Sequence, residues 1–129
     1  MILRAMGLGF VLWLANAAIF RFLGQSFFLP GVAPPFALFA IVIVIGVSLT
    51  FVGVRLLGAA RGDEGEAAVS LAFPSLFLNA VLTHEFAMIF PNLDGGMDGV
   101  YGALAMVYAA AMVFTGLVMT KLAPQDERV

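Results

Sequence analysis

An all-α integral membrane protein, a four-helix transmembrane bundle with both termini in the cytoplasm, is the fold class this sequence predicts. Three observations point to it. Apolar residues make up 63% of the chain and charged residues only 11%, where a soluble domain of this size keeps roughly 25% charged. The charges are unevenly placed, with none from Phe22 to Val54 and none from Gly99 to Thr120. Stretches of about 18 or more apolar residues read as membrane-spanning helices. Four of them fit within residues 1–129 as a single domain.

The first span is expected over 5–23, ended by Gly24, because glycine accepts the turn at a helix C-terminus. The segment "GQSFFLPGVAPP" follows. Pro30, Pro34 and Pro35 oppose helix there, while Phe27 and Phe28 suit a membrane interface. The second span is expected over 36–57. Its β-branched core is too long and unpunctuated for a strand. The third is expected over 67–90, entered through Asp63-Glu64-Gly65-Glu66, which places acids at an N-cap and three residues on, a capping-box arrangement. Those acids have an ordinary structural explanation, since they satisfy free amides at the positive end of a helix. The fourth span is expected over 99–122, capped by Asp98 and stopped by Pro124.

Lysine and arginine near the span ends set the orientation. Cytoplasmic termini gather Arg4, Arg55, Arg61, Lys121 and Arg128 on one side and leave Arg21 alone near the outer face. A rival reading takes "MILRAMGLGFVLWLANA" as a signal peptide with Ala15-Asn16-Ala17 as the cleavage site. Against it, the apolar run continues past Ala17.

Several chemistries lose their basis in composition. There are no cysteines, which removes disulfides, thiolate metal sites and cysteine nucleophiles. No basic stripe suggests nucleic acid. One histidine is a poor basis for zinc, which needs about four ligands. "NLDGGMDG" lacks the residue order of an EF-hand loop and reads as a tight turn. No catalytic set, metal or cofactor is expected.

Polar side chains within apolar spans carry the remaining information, because each needs a partner in hydrocarbon. The candidates are Asn16, Arg21, Asn79, His84, Glu85, Tyr101 and Tyr108. Ser75, Asn79 and Thr83 form one stripe at i, i+4, i+8, and Tyr101, Tyr108 and Thr115 form another at intervals of seven. Such stripes hold a bundle together, or else line a polar path or ligand cleft. The fourth span is also rich in small residues that permit close helix contact. Pro74 predicts a local kink in the third. His84 and Glu85 differ by about 100° around a helix and so point to different faces. Matched depth suggests that Glu85 pairs with Arg21, with Asp94 as the alternative partner.

Two small four-span families fail at the residues that matter. The T-F-S-T-F-type segment of fluoride channels is absent, and the mid-span glutamate of small multidrug exporters is replaced in the first span by Asn16 and Arg21. "RFLGQ" at 21–25, the group Phe73, Pro74 and Asn79, and "FPNLD" at 90–94 are similar to an uncharacterised four-span bacterial membrane family, the domain of unknown function 5367. The resemblance implies a small bacterial inner-membrane protein and no particular activity. The expected partners are the lipid bilayer and other membrane-protein subunits or further copies of the chain. An accessory or assembly subunit is the leading expectation. A homo-oligomeric transporter or channel and a lipid- or quinone-binding protein are the alternatives.

Overall fold

The structure is a computed structural model that describes residues 1–26 and 35–122. Phe27, Phe28, Pro30, Pro34, Pro124 and Arg128 lie outside the described residues. The described chain forms α1 (Ile2–Leu23), α2 (Pro35–Leu57), α3 (Glu64–His84), the short α4 (Phe86–Ile89) and α5 (Asp98–Leu122). Single 3-10 turns at Gly24–Ser26 and Gly95–Met97 follow α1 and precede α5. Four helical segments, Ile2–Ser26, Ala37–Leu57, Glu64–His84 and Gly95–Lys121, are long and apolar enough to cross a membrane. A helix of 22 residues is roughly 33 Å long at 1.5 Å per residue, which matches a hydrocarbon core of about 30 Å. α1 passes through Ala15–Ala17 without a break.

Helix ends follow local chemistry, though not always that of the expected residue. α2 starts at Pro35, a position where a missing N–H is no loss. Its end and the turn to α3 use Gly58 at φ +67° and Gly62 at φ +95°, conformations that cost glycine no side-chain clash. The capping box expected at 63–66 does not form. Asp63 makes no side-chain bond to α3. Glu64 instead turns back to accept from the Gly62 amide at 2.7 Å, and Glu66 is exposed. A further free amide of this helix end, Gly65 N–H, donates to Thr120 Oγ1 of α5 at 2.7 Å. Asp98 accepts from the Gly99 amide at the start of α5.

The packing order differs from the chain order. α1 lies along α3, α3 along α5, and α5 along α2, whereas α1 and α2 touch only briefly. Small residues explain this choice. Ala5 of α1 meets Ala67 and Ala68 of α3, and Gly9 rests directly on the Leu71 backbone carbonyl. Towards α5, Ala68 rests on Gly116, and Thr83 packs on Gly102. Gly46 of α2 lies against Tyr108 and Ala111 of α5. Without a hydrophobic effect between helices in lipid, such close backbone approach supplies the attraction. Gly102, Ala111 and Gly116 of α5 are therefore used inside the chain.

The third span departs most from expectation. It ends at His84 rather than running on to residue 90. Glu85 leaves the helix at φ −103°, ψ 30°, and α4 restarts at Phe86. The break turns Phe86 and Phe90 inward, where they are 2% and 0% exposed. They pack with Tyr101, at ring-centroid separations of 5.2 to 5.5 Å. Phe20 meets Tyr101 edge-on at 5.0 Å. We call this end, opposite the N-terminus, the distal end. Pro74 sits inside α3, whose helical course continues through it.

The outer surface is apolar. Leu3, Phe22, Phe77, Met88, Met106 and Phe114 are each well over half exposed. Such exposure is unfavourable in water and is what contact with a lipid bilayer requires.

Candidate functional site

The polar residues of the apolar spans divide into two groups in space. Asn16, Asn79, Tyr101 and Tyr108 come together. They line a cleft of about 320 Å³ between α1 and α2, floored by α3 and α5. The cleft occupies the distal half of the bundle. Its walls are otherwise apolar, including Ile19, Leu38, Ile41, Val42, Ile45 and Leu104. Ile19, Ile41 and Ile45 are 44%, 54% and 40% exposed, so the rim of the cleft lies on the lipid-facing surface. The opening follows from the packing order, because α1 and α2 hold to α3 and α5 rather than to each other.

Asn79 is the hub. Its Oδ1 accepts from Trp13 Nε1 at 3.0 Å and from Tyr101 Oη at 3.2 Å. One side chain of α3 thereby ties α1 to α5. Trp13 was not among the candidates, although it is an amphipathic residue in the middle of a span. With Asn16 and Phe20 it forms an i, i+3, i+7 face, and that spacing was the available signal. Tyr108 is 7% exposed, and its Oη is buried without a hydrogen bond of good geometry. Asn16 of α1 lies within reach of it. The lower members of the two stripes serve the backbone: Ser75 donates to the Ala72 carbonyl at 2.8 Å and Thr115 to the Ala111 carbonyl at 2.7 Å.

Arg21, His84 and Glu85 lie apart from the cleft. His84 Nδ1 and Glu85 Oε1 are 2.9 Å apart. The expectation that they point to different faces assumed a continuous helix. Because α3 ends between them, adjacent residues turn towards each other. The side chains are 84% and 42% exposed, so their pairing is weak by the usual standard of exposed ions. The expected Arg21–Glu85 pair is not made among the described residues. Glu85 is engaged by His84, and the Arg21 guanidinium lies 5.7 Å from the ring centre of Phe22. Asp94 does not take Arg21 either, since its Oδ1 accepts from the Gly96 amide at 2.8 Å. A double-mutant cycle of Arg21→Ala with Glu85→Ala, measured as stability in detergent, is accordingly expected to be additive within about 0.5 kcal/mol. A larger coupling would place the two charges together.

The "FPNLD" stretch closes the distal end. Asn92 Nδ2 donates to the Phe20 carbonyl at 3.0 Å and to Gln25 Oε1 at 2.9 Å. It thereby adds a second donor to the Phe20 carbonyl, which already accepts from the Gly24 amide at the end of α1. Leu93 packs on Gly24.

No curated protein and no solved structure matches this chain. A family model does, over residues 27–123. Phe73, Pro74, Asn79 and "FPNLD" fall within the match, whereas "RFLGQ" and all of α1 precede it. Two cleft tyrosines, the Asn79 hub and the apolar wall from α2 are inside the matched region, and Asn16 and Trp13 are outside. With about three-quarters of its length matched, this four-span chain belongs to a family of unknown function, DUF5367.

Proposed function

We propose that this protein binds a small, largely apolar molecule taken sideways from the bilayer into the cleft between α1 and α2. The observation that carries the reading is the convergence of Asn16, Asn79, Tyr101 and Tyr108 in an otherwise apolar cleft of about 320 Å³. A few placed polar groups in an apolar pocket of that size fit a small-molecule site. The class is the lipid- or quinone-binding one, with no catalytic step. Orientation follows the charges. Arg4, Arg55, Arg61 and Lys121 lie towards the end that carries the N-terminus, and Arg21 lies at the distal end. This favours both termini in the cytoplasm of a bacterial inner membrane, with the cleft in the outer leaflet.

The accessory-subunit reading has less behind it. It leans in part on the small residues of the fourth span, of which Gly102 and Gly116 pack on α3 and Ala111 on α2. The transporter reading needs its charged residues along one path, and Arg21, His84 and Glu85 are not among the residues lining the cleft.

Trp13 is the single tryptophan and is bonded to a residue of the cleft, so its fluorescence reports occupancy. Menadione, a quinone that quenches indole emission, titrated into the detergent-solubilised protein is expected to give saturable quenching. Ala105 lines the cleft. Ala105→Phe fills it and is expected to weaken that saturable phase about tenfold or more. Quenching that only rises in proportion to menadione, unchanged by Ala105→Phe, would sink the reading.

A further inference from the structure

The cleft discriminates by hydrogen-bond polarity, and the residue that sets the polarity is Asn79. The indole N–H of Trp13 can only donate, so the atom of Asn79 that it touches must be the carbonyl oxygen. Tyr101 Oη donates to that same atom. The amide is thus fixed in one orientation, which the usual ambiguity of an asparagine side chain does not reach. Both hydrogens of Asn79 Nδ2 are then left over, and the amide nitrogen has no hydrogen-bond partner among the described residues. Tyr108 Oη is enclosed and has Asn16 beside it, which leaves the Asn79 amide nitrogen as the open donor of the cleft. Among the described residues, no charged side chain lines the cleft.

Unused donors in hydrocarbon are costly, at several kcal/mol each for groups with no partner at all. We infer that the cleft selects a molecule bearing a neutral carbonyl oxygen on an apolar body, and that Asn79 is the residue that determines this specificity, donating to that carbonyl. A cation finds no counter-charge there and an anion no guanidinium or ammonium. A plain hydrocarbon fits the walls but leaves the donors unused. Two molecules native to a bilayer share the selected chemistry, a quinone ring and an acyl ester. This inference rests on the proposed binding role of the cleft and specifies its ligand.

The test uses matched probes on the whole chain in detergent, with Trp13 emission as the readout. Menadione is titrated directly. Competition against it is measured for 2-methylnaphthalene, which keeps the rings and drops the carbonyls, and for methyl decanoate and undecane, an ester and its apolar counterpart. In the wild type each carbonyl probe is expected to bind about tenfold more tightly than its counterpart. The tighter of the two carbonyl probes identifies the source as ring or ester. Asn79→Leu is expected to lower both ratios several-fold while the apolar probes still saturate, which also shows that the variant is folded; unchanged ratios would overturn the assignment to Asn79. Equal binding of carbonyl and apolar probes to the wild type would overturn the inference and leave the cleft standing as a site. Failure of every probe to saturate would overturn the cleft itself. Should Asn79→Leu not fold, the side-chain amide protons of Asn79 in the wild type carry the test by NMR. They are expected to shift on adding menadione or methyl decanoate and to stay in place with the apolar counterparts. Unmoved signals at saturating menadione would contradict the assignment.

Discussion

Gly116→Leu is expected to prevent α5 from docking on α3 and to leave the protein unable to hold its native bundle in mild detergent. The site has no space. A side chain added at Gly116 runs directly into the Ala68 methyl group, and its first carbon would lie 3.2 Å from the Glu64 carbonyl oxygen and 3.3 Å from Gly65 Cα. Two of these three neighbours are backbone and cannot rotate away. Overpacking a well-filled contact costs about 1–3 kcal/mol when neighbours can adjust, and here the whole interface must separate. The same separation breaks the bond from Gly65 N–H to Thr120 Oγ1. A loss of about 3 kcal/mol or more is therefore expected. Unfolding in mixed micelles, followed by circular dichroism, measures it. Gly99→Leu on the same helix is the control, because among the described residues no packed neighbour lies within 4 Å of a carbon added there, and it should change stability by less than about 0.5 kcal/mol. Equal behaviour of the two variants would show that α3 and α5 do not pack through Gly116.

Much of this architecture was legible because it follows from local rules. A bilayer demands about 20 apolar residues per helix, so composition and charge gaps located all four spans. Periodicity put Asn79 on one stripe and Tyr101 and Tyr108 on another, and those stripes do meet. What stayed hidden was set by contacts between distant segments. The packing order of the helices depends on which small residues face each other, as with Gly9 on Leu71 and Gly116 on Ala68, and hydropathy says nothing about facing. The amide of Gly65 is served by Thr120, 55 positions away, rather than by the acids beside it. Glu85 and Arg21 matched in depth, yet depth fixes one coordinate of three. The break after His84 was the costliest omission. No glycine or proline marks it, and the local sequence suits a continuing helix. The gain is tertiary, because only a broken helix delivers both Phe86 and Phe90 to Tyr101.

That gain makes Phe90 the second position of large effect. Phe90→Ala is expected to destabilise the protein by about 3 kcal/mol and to loosen the cleft as well. Phe90 is fully buried and contacts Phe20, Phe86 and Tyr101, at ring-centroid separations of 6.4, 5.2 and 5.4 Å. Removing the ring leaves a void that a membrane protein cannot offset by burying something else from water, so lost packing dominates. Two of the three neighbours, Phe20 and Tyr101, also line the cleft. Tyr101 in turn donates to Asn79. A void at Phe90 therefore reaches the hub through one ring and one hydrogen bond, although Phe90 itself is not part of the cleft lining. The expected result has two parts, a lower unfolding midpoint and saturable menadione quenching weakened by several-fold in the variant that is still folded. Phe77→Ala is the contrast. That ring is 67% exposed and faces lipid, so both measurements should stay near wild type. If Phe90→Ala lowers stability but leaves menadione binding untouched, the aromatic cluster is a clamp on the distal loop alone. The cleft would then draw its shape from α1, α2 and the Asn79 hub without help from the broken helix.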